Sequence, residues 1–211
     1  MHKSKKYKYR VYDGKIIKDM LENSRLYLML LLFVAGLIIG ALAIENSASL
    51  LVTEIRGIVE SYKVLRMQQS FMNNFAFSLL VNLLFIGASV FLAFSLIGYP
   101  FIIWLPLFKG IGMGAVCGYL YSVYELTGIG YALLTIYPSA IIAVIAIVVS
   151  CNDSCEYSKN AYMKAVGGKG NFERGETRIF LIRQLVFGSI TAAASLIDAV
   201  SGLFFSRFFS F

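Results

Sequence analysis

The sequence predicts an all-α, polytopic membrane protein: five transmembrane helices in one bundle, with an amphipathic helix on the outer side. Three observations carry that prediction. Of 211 residues, 58% are apolar and only 15% are charged, where soluble domains run nearer about half apolar and about a quarter charged. The apolar residues gather into separate runs of roughly 20, the length a helix needs to cross about 30 Å of hydrocarbon. These runs lack the short alternating strands of a membrane barrel. Lipid satisfies no backbone group, so each run must close its own hydrogen bonds as a helix.

Residues 1–25 are polar and basic. Lys3, Lys5, Lys6, Lys8, Arg10, Lys15, Lys18 and Arg25 stand against Asp13, Asp19 and Glu22. The basic stretch is long and no small-residue cleavage site follows the next apolar run, so it reads as a retained cytoplasmic segment, not a signal peptide. Charge topology accounts for it better than a nucleic-acid partner does. The first span, 26–44, holds no charge, and Gly36 and Gly40 lie one turn apart on one face. That spacing admits another helix at short range, in the same chain or in a second copy.

Residues 45–74 form an outer connection of balanced charge. Within it Leu51, Ile55, Ile58, Tyr62 and Leu65 recur at spacings of 4, 3, 4 and 3, an amphipathic helix pattern. Such a face packs on the protein, lies on the membrane surface, or docks an extracytoplasmic partner. The second span, 75–97, contains Asn82, whose amide should seek a neighbouring helix and avoid lipid. Gly98, Tyr99 and Pro100 read as a tight turn.

The third span, 101–122, is the least ordinary. Pro106 removes a helix donor, Lys109 follows it, and Gly110, Gly114 and Gly118 repeat every fourth residue. The glycines predict a flat face and the closest helix packing in the chain. An ammonium at that depth must find a counter-group or snorkel about 12 Å to the interface. A link at 123–127 with Glu125 leads to the fourth span, 128–149, which carries Pro138. Paired broken helices serve as ligand sites in some transporters or as packing kinks, and packing is the preferred reading because no ion-binding constellation accompanies them.

Residues 150–178 are polar again and read as a cytoplasmic loop. The run Gly167, Gly168, Lys169, Gly170 lacks the spacing and preceding strand of a phosphate loop. The last span begins near Ile179 within a membrane domain that extends over 26–205, followed by a short tail at 206–211. Arg183 and Asp198 are fifteen residues apart, about 22 Å along one helix, too far to pair. Arg183 is expected to snorkel to the cytoplasmic interface and Asp198 to approach the outer one. Gly188 and Ala192 belong to a small-residue face suited to helix packing.

Positive charge orients the spans. The basic amino terminus argues for an inside start, and the 150–178 loop has five Lys/Arg against three in 45–74. The expected location is the cell membrane, with a cytoplasmic amino terminus and an extracytoplasmic carboxyl terminus. One His and one Trp leave no histidine cluster. Cys117 reads as a small buried thiol, and Cys151 and Cys155 share a helix face without a third ligand, so neither metal nor cofactor is expected. Glu45, Glu54 and Glu60 are scattered over a helical pattern and make no catalytic pair. The chain is not expected to be an enzyme.

The middle of the chain, NNFAFSLLVNLLFIGASVFLAFSLIGYPFIIWLPLFKGIGMGAVCGYL, and the later LLTIYPSAIIAV resemble the stage II sporulation protein M family. The matching positions are Asn82, Gly98, Pro100, Lys109, Gly110, Gly114, Gly118 and Pro138. The resemblance runs from about residue 20 through the fifth span, and excludes the basic amino-terminal segment and the tail FFSRFFSF. It implies a non-catalytic membrane scaffold of a septal peptidoglycan-remodelling complex in endospore engulfment. The implied partners are extracytoplasmic cell-wall hydrolases: a lytic transglycosylase, and an amidase/endopeptidase that removes stem peptides and cleaves cross-links. The alternative drawn from the residues alone is a small transporter or channel-like permease subunit, with an anionic ligand near Lys109. A homo-oligomer is compatible with both.

Overall fold

The computed structural model describes the backbone of residues 8–45, 71–95, 97–166 and 174–205. These residues form helices α1 (Lys8–Glu45), α2 (Phe71–Ala93), α3 (Gly98–Tyr131), a π-helical segment (Ala132–Ile136), α4 (Tyr137–Val166) and α5 (Arg174–Phe205). There is no strand among the described residues. The amphipathic face of Leu51, Ile55, Ile58, Tyr62 and Leu65, the glycine run at 167–170 and the tail at 206–211 lie outside the described residues.

Four helical stretches are long and apolar enough to cross a membrane: Ser24–Ile44, Phe71–Ala93, Gly98–Lys164 and Gly175–Gly202. The protein is therefore a multi-pass, all-helical membrane protein. The surface is apolar as lipid demands, with Leu31, Phe91, Trp104, Leu126 and Leu185 all more than half exposed. The interior is small and hydroxylic, with Ser89, Ser150, Ser154, Thr191 and Ser195 fully buried. In lipid no hydrophobic force separates inside from outside, so close packing and hydrogen bonds hold the helices together.

The third stretch has 67 residues and would reach about 100 Å as one rod. It does not, because Glu125 leaves helical geometry at φ 51°, ψ −131° and the chain doubles back. Leu120 then packs on Tyr131, Ala132 and Ile136, and the Cys117 thiol reaches the Tyr137 hydroxyl at 3.9 Å. The two arms stay together to their far ends, where Cys155 Sγ lies 3.8 Å from the Tyr99 carbonyl. Gly128 makes the tight tip sterically accessible, since a Cβ there would sit 2.1 Å from the Leu120 carbonyl oxygen. At Glu125 itself an L side chain occupies a region that glycine enters freely. Glu125→Gly is expected to stabilise the protein by about 1 kcal/mol, read as a higher thermal midpoint in detergent.

Residue pairings set the helix directions. Phe33 and Leu37 of α1 meet Gly110 and Gly114 of α3 in rising order, so these two helices run parallel. Ser89 meets Ser154 and Ser95 meets Ser158, so α2 and α4 run parallel. Ser139 meets Asp198, while Tyr157 meets Thr177, so α4 and α5 are antiparallel.

Several boundaries differ from the sequence expectation. The second helix is described over Phe71–Ala93 and ends short of the expected 97, because the chain turns at Phe94 and Ser95. Phe94, Ser95 and Ile97 lie in turn or bend geometry, and Gly98, Tyr99 and Pro100 form the first turn of α3. A proline there sacrifices only an amide that has no intrahelical partner anyway. The polar stretch from 150 begins as helix, not loop: α4 continues to Val166 because Ser150, Ser154 and Ser158 are buried against other helices. Pro106 lies buried within α3, and Glu125 is the residue of that helix with non-helical backbone angles, so Pro106 does not break it. Pro138 sits in the first turn of α4, directly after the π-segment, where its missing amide is tolerated.

Candidate functional site

Among the described residues, the most closely packed seam joins α1 to α3. A Cβ on Gly36 would stand 2.3 Å from the Leu107 carbonyl oxygen, and one on Gly40 would stand 2.2 Å from that of Ile111. From the other side, a Cβ on Gly110 would meet the Phe33 oxygen at 2.3 Å, and one on Gly114 would meet the Leu37 oxygen at 2.2 Å. Gly118 faces the Cα of Ala41 in the same row. Every obstacle is backbone, so the helices touch main chain to main chain, the geometry that small residues four apart permit. Gly36 and Gly40 are thus engaged within one chain.

Beside this seam lies a polar centre built by α2, α3, α4 and α5. Lys109 Nζ donates to Asn82 Oδ1 at 2.9 Å and lies 5.2 Å from the centre of the Phe85 ring, a cation–π distance. The other end of the same amide, Asn82 Nδ2, donates to Ser195 Oγ at 3.2 Å. Ser195 in turn donates to the Thr191 carbonyl. One turn further along α5, Asp198 accepts a hydrogen bond from Ser139 Oγ at 2.9 Å. Ser201 reaches across to the Thr135 carbonyl at 3.2 Å, which joins α5 to the π-segment. A charged side chain at a helix centre costs about 2.5–3.5 kcal/mol toward lipid. The hydrogen bond to Asn82 and the Phe85 ring offset part of that cost for Lys109.

Of the two courses the sequence leaves open to Lys109, the structure shows a partner: its ammonium is held by Asn82 and lies over the Phe85 ring. Asp198 is buried within the bundle, where it accepts the hydrogen bond from Ser139. Asn82 does find a partner helix, and indeed two.

A second polar cluster lies toward the other end of the bundle. Ser150 Oγ donates to Gln184 Oε1 at 2.6 Å and contacts Ser89 Oγ at 3.2 Å, while Ser154 Oγ donates to Ser89 at 3.3 Å. Arg183 Nη1 donates to Asp153 Oδ1 at 2.6 Å. Arg183 is thus held in an ion pair with α4, a partner the sequence reading did not give it. Near the helix ends Tyr157 stacks on Phe180 with centroids 4.3 Å apart, and Lys164 pairs with Glu176.

Ser89, Ser139, Ser150, Ser154, Asp153 and Gln184 were not singled out from the sequence. A signal existed in the spacing of Ser150, Ser154 and Ser158, four apart on one face, which loop composition obscured. Gly188 makes only ordinary contact with Leu83, and Ala192 is half-buried. Cys151 and Cys155 are fully buried free thiols, and Cys117 is partly buried. Among the described residues no group of His, Cys, Asp and Glu could hold a metal ion.

This arrangement can do two things: fix helix register, and hold a lysine ammonium inside the bundle by hydrogen bonding. No curated protein and no solved structure shows significant similarity to the chain. The family model described as stage II sporulation protein M matches residues 29–203, a stretch that includes the glycine seam and both polar clusters. The chain belongs to the stage II sporulation protein M family.

Proposed function

We propose that this sporulation-family membrane protein is a non-catalytic scaffold that holds peptidoglycan-remodelling enzymes at the outer face of the membrane during engulfment. The family match over residues 29–203 carries the reading. The partners are an extracytoplasmic lytic transglycosylase and an amidase/endopeptidase. They dock on the amphipathic face of Leu51, Ile55, Ile58, Tyr62 and Leu65. In this reading the chain crosses the membrane five times, with its amino terminus in the cytoplasm. The support is the reversal at Glu125, which divides the 67-residue stretch into two antiparallel arms, together with the basic charge of residues 1–25.

The interior polar groups weigh toward a scaffold over a permease. An anionic ligand at Lys109 would have to displace the Asn82 amide. A second copy of the chain remains part of the proposal, built on a surface other than Gly36 and Gly40, which α3 already covers.

The scaffold reading is tested by crosslinking in spore-forming cells. Serine substitutions at Leu51, Ile55 and Ile58 are expected to lower capture of the wall hydrolases roughly tenfold, as loss of apolar anchors does at interfaces. Undiminished capture, with the variants present in the membrane at normal abundance, would remove the docking face.

A further inference from the structure

Helix α2 is the least buried of the four apolar stretches. One of its flanks forms a groove of about 580 Å³ that runs from Met72 to Leu84, and among the described residues its lining comes from α2 alone. Met72, Ala76 and Leu80 are exposed there, and Phe75 and Leu79 are half-buried. A volume of that size lies within the range of pockets that enclose whole organic groups. The apolar stretch begins at Phe71, so the mouth of the groove lies where α2 leaves the hydrocarbon.

Helix α2 runs parallel to α4, and α4 antiparallel to α5, so α2 and α5 are antiparallel. The bond from Asn82 to Ser195 fixes their register. Leu83, which lines the groove, also touches Gly188 of α5, so the groove is continuous with the contact between these two helices. Phe71 stands eleven residues before Asn82, and Phe205 stands ten after Ser195, about 16 and 15 Å along their helices. The chain that follows α5 therefore departs beside the mouth of the groove. It reads Ser206, Arg207, Phe208, Phe209, Ser210, Phe211. The residues just before α2, Gln68, Gln69 and Ser70, have no apolar side chain to offer.

We propose that the mouth half of this groove, Met72 to Leu79, is the seat of the aromatic side chains of Phe208 and Phe209. Six extended residues reach about 20 Å, and Met72 to Leu79 covers about 10 Å of helix. Arg207 keeps its guanidinium at the headgroup level, and the chain turns back there. The backbone of the tail stays at that level too, since hydrocarbon satisfies none of its polar groups. Only the rings enter, as aromatic residues do at a membrane boundary. The occupant is a segment of the same chain, and it covers the part of α2 that a second copy would otherwise reach. Packing of α5 against α2 suffices for this seat, whichever partners dock elsewhere.

The test uses the full-length chain in its membrane, with a protease site inserted after Lys169. Met72→Cys and Phe208→Cys together are expected to crosslink on oxidation, so that the two halves stay joined after cleavage. Leu84→Cys with Phe208→Cys is expected to leave them separate, because Leu84 lies twelve residues further along α2, about 18 Å deeper. Separate halves in the first pair overturn the seat. A crosslink that joins two chains instead of two halves also overturns it and gives the groove to a second copy. A second measurement uses Met72→Cys alone, labelled with a maleimide. Adding Phe208→Ser and Phe209→Ser is expected to raise the labelling rate roughly tenfold or more, the effect of withdrawing buried aromatic side chains. Equal rates with and without the two phenylalanines would mean that lipid fills the groove, and would overturn the seat.

Discussion

Replacing Gly114 with isoleucine is expected to unseat α1 from α3 and to cost about 3 kcal/mol or more, the upper end of overpacking penalties. The first atom of the new side chain would lie 2.2 Å from the Leu37 carbonyl oxygen and 2.9 Å from the Leu37 Cα. Both are backbone atoms of a helix, so no rotamer change relieves the overlap. Only separation of the two helices does, and separation surrenders the contacts of the whole seam from Gly36 to Gly118. Gly112 supplies the internal control. It lies two residues away on the same helix, and a Cβ there meets nothing within 4 Å. Gly112→Ile should stay within about 0.5 kcal/mol of the parent, or gain slightly from better helix propensity. Thermal unfolding in detergent measures both. Equal losses at the two positions would show that intrinsic helix preference, and not the seam, governs this region.

Asn82→Leu is expected to cost about 2 kcal/mol, the range for a hydrogen bond to a charged group when the charge stays buried. The substitution is close in volume, so packing changes little. It removes the acceptor for Lys109 and the donor to Ser195 together. Membrane hydrogen bonds between neutral groups are often worth less than about 1 kcal/mol; the ammonium makes this one larger. Ser189→Ala is the matched control, because that exposed hydroxyl bonds only the Val186 carbonyl of its own helix. Its midpoint should barely move. If Asn82→Leu moved no further than Ser189→Ala, the polar centre would contribute nothing to cohesion.

The glycine seam was legible because it depends on a one-dimensional rule. Gly36 and Gly40, like Gly110, Gly114 and Gly118, repeat every fourth residue, and that repeat places them on one helix face wherever the helix goes. Asn82 was legible for a similar reason, since an amide in an apolar run must bond something. The partners of Lys109 and Asp198 are a different case. Their depth along separate helices said nothing about which helices are neighbours. The stretch expected as a loop, 150–178, has the composition of a loop, yet its part to Val166 is helix. The serines lie on the face that α2 and α5 cover, and that face is defined only once those helices are in place.

By itself, then, the order of residues determined that this protein lives in lipid, that it is helical, and which faces are smooth enough for close approach. These properties follow from local length, local composition and a period of 3.6, all of which act within one segment. Tertiary structure alone decided the partners: α1 with α3, Asn82 with both Lys109 and Ser195, Ser139 with Asp198. Between helices already sheltered in a membrane, apolar burial favours no particular neighbour. The choice falls to contacts of a few ångströms between groups as many as 113 residues apart, and such contacts exist only after the bundle has formed.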